Sequence, residues 1–191
     1  MAGYIGSKAV LLSTTAAEVS GDADIGGSLL VDTIKADNGT TAMTIDSSGR
    51  VKYPAQVRFH AVANNDAYSQ ASTVPYNQVV INVGGAYNNS TYKFTAPIDG
   101  CYHLMMHQYF HVDSGESCAI EFYKNDAHIL TASKVYCHID NMNTGGEIDE
   151  TRYASTILDL SASDTVHVFF SGTAEYWLGS KWCSFSGYLL G

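Results

Sequence analysis

Cys118-Ala119-Ile120-Glu121-Phe122-Tyr123-Lys124-Asn125-Asp126 is the stretch that decides the fold class. Cys118, Ile120 and Phe122 alternate with Ala119, Glu121 and Tyr123, a period of two that sends each set to one face of a strand. Asn125-Asp126 then supplies turn chemistry, and His128 to Ser133 reads as the returning strand. The same pattern recurs on both sides. Val57, Phe59 and Ala61 alternate with Arg58 and His60. Gln78 to Val83 is β-branched and stops at Gly84-Gly85. Tyr153 to Leu160 and Thr165 to Phe170 flank the turn Ser161-Ala162-Ser163-Asp164, and Ser184 to Leu190 closes the chain. No window of ten or more residues carries a 3.6 period. Many short strands separated by turns predict an all-β sandwich or barrel.

Upstream of Tyr53-Pro54 the composition changes to Gly, Ser, Thr, Ala and Asp, almost without aromatics. Ser28 to Ile34 reads as a strand, Asp37-Asn38-Gly39-Thr40 as a turn, Ala42 to Asp46 as the returning strand, and Ser47-Ser48-Gly49-Arg50 as a second turn. Asn-Gly is the common source of the positive φ that hairpin turns need. A hairpin of this size cannot stand alone, so it is expected to lean on copies of itself or on a larger body. The expected division is therefore a β-hairpin-rich anchor or shaft over 1–54 and a compact domain over 55–191.

The 191 residues are 46% hydrophobic, enough for a core, but only 15% charged. The average soluble domain has about 25% charged residues. So little charge predicts that part of the surface is covered by other subunits. The net charge of -9, without a basic run, argues against nucleic acid, whose phosphates call for Lys and Arg. No apolar run is long enough to span a membrane, and the first residues do not read as a secretory signal. Assembly in a cytosol is expected. Cys101, Cys118, Cys137 and Cys183 form no CxxC pair, so they read as reduced thiols rather than a zinc site, with one disulfide left open.

Five landmarks in order make the chain from about Ala55 onward resemble the complement globular-head domain, a member of the tumour-necrosis-factor-like jelly rolls. Phe59-His60-Ala61 is similar to the family's opening Phe-x-Ala. Tyr87 through Tyr92-Lys93-Phe94-Thr95-Ala96-Pro97 resembles its Tyr…Gly-x-Phe-x-x-Pro. Asp99-Gly100-Cys101-Tyr102 resembles its Pro-Gly-x-Tyr. Leu160-Ser161-Ala162-Ser163-Asp164-Thr165-Val166 resembles Leu-x-x-Gly-Asp-x-Val, and Phe185-Ser186-Gly187-Tyr188-Leu189 the closing Phe-Ser-Gly-x-Leu. Thr91 or Lys93 stands near the usual Gly before Phe94, and Ser163 replaces the Gly before Asp164, which implies altered loops. The resemblance implies a jelly-roll β-sandwich of about ten strands, a homotrimer, and binding rather than catalysis. Gly100 and Gly187 are expected where a turn or a close backbone approach needs no side chain.

The first 50 residues are similar to N-terminal parts of marine bacteriophage structural proteins. The likeness rests on Tyr4-Ile5-Gly6-Ser7, Val10-Leu11-Leu12-Ser13-Thr14-Thr15, Gly26 to Asp32, and Thr44 to Val51. In such proteins this part attaches to the particle, which makes Tyr4, Ile5, Val10, Leu11 and Leu12 candidate anchoring residues.

Three candidate sites follow. His103, His107 and His111 fall on one face of a strand with Met105 and Tyr109. Neighbouring histidines there are ~13 Å apart, too far for one chain to bind a metal. The set reads as polar packing at a subunit interface, although one imidazole per subunit could meet on a threefold axis. Glu175, Tyr176, Trp177, Lys181 and Trp182 sit in a loop holding both tryptophans, a candidate contact loop for a protein or glycan. Glu147, Asp149 and Glu150 could offer oxygens to calcium, although their spacing is not that of an EF-hand and a solvated loop is the simpler reading. No metal or cofactor is expected. GxSxG, HExxH and Gly-Lys phosphate loops are missing from the sequence, so no catalytic residues are assigned and the chain is expected not to be an enzyme.

The expected function is a bacteriophage virion structural protein, a short trimeric fibre or appendage subunit. Its head would be exposed for host attachment through a surface glycan or protein. The N-terminal segment would join other virion proteins, with no membrane insertion and no nucleic acid. A capsid decoration, cement or head-fibre protein is the alternative.

Overall fold

The computed structural model describes residues 28, 30–63, 72–129, 136–140, 145–177 and 182–191. The described residues form sixteen strands: β1 (Thr33–Lys35), β2 (Thr41–Ile45), β3 (Val51–Lys52), β4 (Arg58–Val62), β5 (Ser72–Thr73), β6 (Gln78–Val83), β7 (Tyr87–Asn88), β8 (Lys93–Thr95), β9 (Gly100–Val112), β10 (Ser117–Lys124), β11 (Ala127–His128), β12 (Tyr136–Asp140), β13 (Ile148–Leu160), β14 (Thr165–Gly172), β15 (Glu175–Trp177) and β16 (Ser184–Leu189). No helix occurs among the described residues.

β1, β2 and β3 form a small antiparallel sheet. Its two turns share one geometry. Ala36 N donates to Thr40 O and Gly39 N to Ala36 O, and Asp46 N donates to Arg50 O and Gly49 N to Asp46 O. Only the glycine of each turn has positive φ, +84° at Gly39 and +75° at Gly49. This is a four-residue turn closed by a left-handed residue, not a two-residue Asn-Gly turn. The first strand is also shorter than expected, starting at Thr33 rather than Ser28. No residue from 33 to 52 is buried, so this sheet has no core of its own.

The remaining thirteen strands make a two-layer antiparallel sandwich. One layer runs β11-β10-β14-β8-β7, with β12 also on β10 and β5 on β14. The other runs β13-β9-β16-β4-β6, with β15 on β9. This is the expected jelly-roll class, and its alternation is as read: Phe59, Ala61, Cys118, Ile120 and Phe122 are all buried.

The resemblance landmarks meet in the core. Phe59 stacks on Tyr87 (5.1 Å between centroids) and on Phe94 (5.0 Å), and meets Phe185 edge-on at 4.8 Å. Phe94 in turn meets the Tyr102 ring at 5.3 Å. The Tyr87 hydroxyl donates to Tyr76 O and the Tyr102 hydroxyl to Ile98 O, so these phenols are buried with their polar ends satisfied. A Cβ on Gly187 would lie 2.5 Å from Leu104 Cδ2 and 3.0 Å from His103 O, and one on Gly100 2.7 Å from Leu189 Cδ1. Gly187 is therefore set by close approach, whereas at Gly100 the nearest backbone atom is Gly191 O at 3.3 Å and the closer obstacle is the flexible end of Leu189.

The two departures from the family pattern are visible in the backbone. Ser163 has φ +76°, the left-handed conformation a glycine takes freely. Before Phe94 the left-handed residue is Tyr92, φ +60°, rather than Thr91 or Lys93. The Gly-x-Phe spacing puts the glycine at position 92, so the substitution lies one residue from where it was sought.

Asp164 ties the turn between β13 and β14 to its surroundings. Its Oδ2 accepts from Ser161 N and pairs with Lys124 Nζ at 2.7 Å, and its Oδ1 accepts from Asn125 Nδ2. Asn125 and then Lys124 hold the carboxyl down to about 2. A depressed carboxylate contributes stability above its unfolded value, near 4, and loses it as pH falls toward 2. Asp164→Asn should melt below wild type at pH 7, with the gap closing between pH 4 and 2. A gap independent of pH would show that shape, not charge, matters at this turn.

Candidate functional site: the outer face of the six-stranded sheet

β9 runs through the middle of the six-stranded sheet. Tyr102, Leu104, Met106, Gln108, Phe110 and Val112 turn inward and are buried. His103, Met105, His107, Tyr109 and His111 turn outward, so the five predicted residues share one face. Antiparallel pairing brings Ile157, Ser155, Tyr153, Thr151 and Asp149 of β13 beside them in that order. On the other flank, β16 sets Tyr188, Ser186 and Ser184 opposite His103, Met105 and His107.

Two successive rows across this face carry no fixed charge. One is Ser155, Met105, Ser186, His60 and Ile81; the other is Tyr153, His107, Ser184, Val62 and Gln78. Large apolar groups are exposed on the face. Tyr153 is 71% exposed and Ile157 60%, and Met105, Tyr188 and Ile81 are exposed as well. Val79 and Val80 add apolar surface on the edge strand β6. A depression of about 440 Å³ lies among Met105, His107, Tyr153, Ser155, Ser184 and Ser186. Single exposed apolar residues need no explanation, but a contiguous group on one uncharged face is what an interaction surface looks like.

The histidines differ in their surroundings. His107 stacks flat on Tyr153, centroids 4.7 Å apart and planes at 4°. Burial pushes its pKa down. The His103 ring meets Tyr188 edge-on, with Nδ1 3.1 Å from the phenol oxygen. His111 Nδ1 donates to Asp149 Oδ1 at 2.8 Å. This hydrogen bond raises the imidazole and lowers the carboxylate.

A histidine with a depressed folded pKa binds its proton more readily in the unfolded chain. Stability is therefore lost as pH falls through the unfolded value of about 6.5. His167, buried in the other sheet and likewise depressed by burial, acts in the same direction. His111, raised by Asp149, acts the other way, so the expected result is a difference: between pH 7.5 and 5.5 thermal stability should fall less in His107→Gln than in the wild type. An unchanged slope would remove His107 from the titration.

Part of the predicted contact loop is a strand. Glu175–Trp177 forms β15, with Glu175 opposite His111 and Trp177 opposite Tyr109 in the backbone ladder. Tyr176 is 0% exposed, 4.2 Å from the Phe170 ring, with its hydroxyl 3.2 Å from Ser72 Oγ. It belongs to the core and cannot touch a ligand, because the period of two carries it inward. Trp182 is 54% exposed and rests edge-on against Tyr109 at 5.0 Å. A pocket of about 320 Å³ opens among Tyr109, His111, Asp149 and Trp182. Lys181 lies outside the described residues, as do Tyr4, Ile5, Val10, Leu11 and Leu12.

The calcium grouping is corrected. Asp149 and Glu150 are neighbours on β13 and point to opposite faces, so one ion cannot take both. Asp149 binds His111, and Glu150 is paired with Arg152. Glu147 instead gathers with His111 and Asp113, one ligand atom from each lying within 4.8 Å of the others. Sequence reading missed Asp113. Its signal was the His111-x-Asp113 spacing, which keeps both residues on one side of an extended chain. Cys101, Cys118 and Cys183 are free thiols, and burial pushes Cys183 up to about 11.

Solved structures share this architecture. Eiger TNF from S. frugiperda superposes with TM-score 0.57 at 13% identity, over 72% of this chain and 94% of that one. Murine APRIL gives 0.54 at 16%, over 71% and 99%. The globular domain of zebrafish complement 1qA protein gives 0.51 at 18%, over 71% and 98%. At such identities the likeness speaks for the fold alone. No curated protein matches the chain. The model of the C1q domain matches residues 58–190, the greater part of the sequence, and the chain belongs to the C1q domain family.

Proposed function

We propose that this protein is a homotrimeric, non-enzymatic binding and structural module. The outer face of its six-stranded sheet closes around the threefold axis, and the opposite surface and loops remain free. The observation that carries this reading is the apolar group of His103, Met105, His107, Tyr153, Ile157 and Tyr188 on this face, whose two middle rows carry no fixed charge and whose margin holds Arg58 beside Tyr188 and Asp159 one row past Ile157. Three copies packing this face inward would remove it from water, and apolar burial is worth about 25 cal/mol per Å². The low overall charge supports the same conclusion, since a covered face needs no charge.

The finer assignment is a subunit of a bacteriophage virion appendage, assembled in the host cytoplasm. It rests on the N-terminal likeness to phage structural proteins. Residues 1–54 would attach the subunit to the particle and the head would face outward. Three weak contacts on one particle, made by the loops that remain free, would act together and bind far more tightly than one.

Light scattering on the intact chain tests the assembly. The expected mass is three times the 20.6 kDa of one chain. A single-chain mass at micromolar concentration would sink the trimer. Immunogold labelling of purified virions with antibody to the head tests the location. Label on appendage tips supports host attachment, label spread over the capsid favours the decoration role, and unlabelled particles overturn both.

A further inference from the structure

β9 and β13 lie side by side, and the last residue of the first meets the first residue of the second, Val112 against Ile148. The chain around this junction places three ligand-bearing side chains together. His111 faces outward one residue before β9 ends. Asp113 follows one residue after its end, and Glu147 comes one residue before β13 starts. One ligand atom from each lies within 4.8 Å of the others, and His111 Nε2 is 3.7 Å from Asp113 Oδ1. Ligand atoms around a transition ion bonded at about 2.0–2.2 Å stand roughly 3–3.5 Å apart. The group is thus within a small side-chain adjustment of a coordination shell.

A second observation concerns the imidazole itself. Asp149 is outside this group of three, and its Oδ1 accepts from His111 Nδ1 at 2.8 Å. That bond fixes the proton of a neutral imidazole on Nδ1. The lone pair is then on Nε2, the nitrogen turned to Asp113. A carboxylate behind a histidine, setting its tautomer and raising its basicity, is the usual support of a metal-binding imidazole. A structural ion pair needs only Asp149 and His111. With the proton on Nδ1, Nε2 faces the Asp113 carboxylate at 3.7 Å, beyond hydrogen-bond distance and with room for a cation between them.

We infer that His111 Nε2, Asp113 and Glu147 bind a divalent transition ion of the zinc or manganese class, with Asp149 as the positioning residue. One imidazole with two carboxylates suits borderline ions, whereas calcium takes six to eight oxygens. The two carboxylates balance the charge of the ion. All ligands come from one chain, so binding does not depend on the trimer.

The test uses the intact protein, stripped with a chelator and then titrated with zinc, manganese and calcium by calorimetry and thermal melting. One zinc or manganese ion per chain is expected, with a higher melting temperature. His111→Gln and Glu147→Gln should each abolish the binding. Asp149→Ala should weaken it by about 10–100-fold. Cobalt should give a visible absorption spectrum in wild type that His111→Gln loses. These side chains are at the surface, and circular dichroism verifies that each variant is folded. Absence of zinc and manganese binding overturns the proposal. So does zinc binding that survives His111→Gln, which places the ion elsewhere, or a preference for calcium indifferent to that substitution. The mass of the same samples reads the trimer separately, so the two proposals can fail independently.

Discussion

Replacing Gly172 by alanine is expected to remove about 3–5 kcal/mol of stability, a large share of the ~5–15 kcal/mol that holds a domain folded. Gly172 ends β14 with φ +134°, a conformation that side chains with a Cβ rarely adopt. A Cβ there would sit 2.3 Å from Ser117 O and 2.6 Å from Cys118 Cα. Both obstacles are backbone, so no rotamer change can relieve them. The strand pair itself must move, with Gly172 drawn away from Cys118 in the ladder. That movement also breaks the bonds from Thr173 N (2.9 Å) and Ala174 N (3.4 Å) to Ser117 O. Strain of about 1–3 kcal/mol and overpacking of similar size account for the total. Urea unfolding followed by far-ultraviolet circular dichroism measures it. Gly115→Ala is the control: φ is +86° but the space around it is open. It should cost about 1–2 kcal/mol, the strain alone. If the two variants lose equal stability, the close approach at Gly172 has no energetic weight.

What could be read from the sequence divides by range. A period of two is local, and Phe59, Ala61, Cys118, Ile120 and Phe122 all turned inward as it requires. Turn chemistry is local as well, and Gly39 and Gly49 hold the left-handed positions. The resemblance was carried by Phe59, Tyr87, Phe94, Tyr102 and Phe185. These are core aromatics in contact, which is why such scattered residues mark one fold. The outward set from His103 to His111 was also legible, because it depends only on alternation along one strand.

What escaped depends on pairing between distant segments. Nothing near Tyr176 says that its strand joins β9 and sends the ring against Phe170, so an aromatic loop looked like a contact surface. Nothing near Asp149 says that His111 lies across from it, since 38 residues separate them. The acidic residues therefore seemed to form a group of their own. Tyr92 escaped for a different reason: its positive φ belongs to the backbone, and the side chain gives no warning of it.

Ile157→Arg is expected to turn the trimer into single chains while leaving each chain folded. In the isolated subunit Ile157 is 60% exposed beside His103 on the outer face of the six-stranded sheet. Arginine at so open a position should change the stability of one chain by no more than about 0.5 kcal/mol. In the proposed trimer the same position approaches the threefold axis. The substitution then brings three guanidinium groups together beside two rows that hold no fixed charge, while Asp159, one row to the other side, offsets part of their charge. Each buried, unpaired charge costs several kcal/mol, and mutual repulsion adds to it. Light scattering should find the mass of one chain where wild type gives three, and circular dichroism should be unchanged. Tyr153→Asp, at a second exposed position on the same face, should act likewise. Ala127→Arg, exposed on the seven-stranded sheet, should leave the trimer intact. A trimer that survives both Ile157→Arg and Tyr153→Asp places the axis elsewhere. The edge strand β6, with Val79, Val80 and Ile81 exposed, then becomes the surface to mutate, because it is the other apolar stretch of the same sheet.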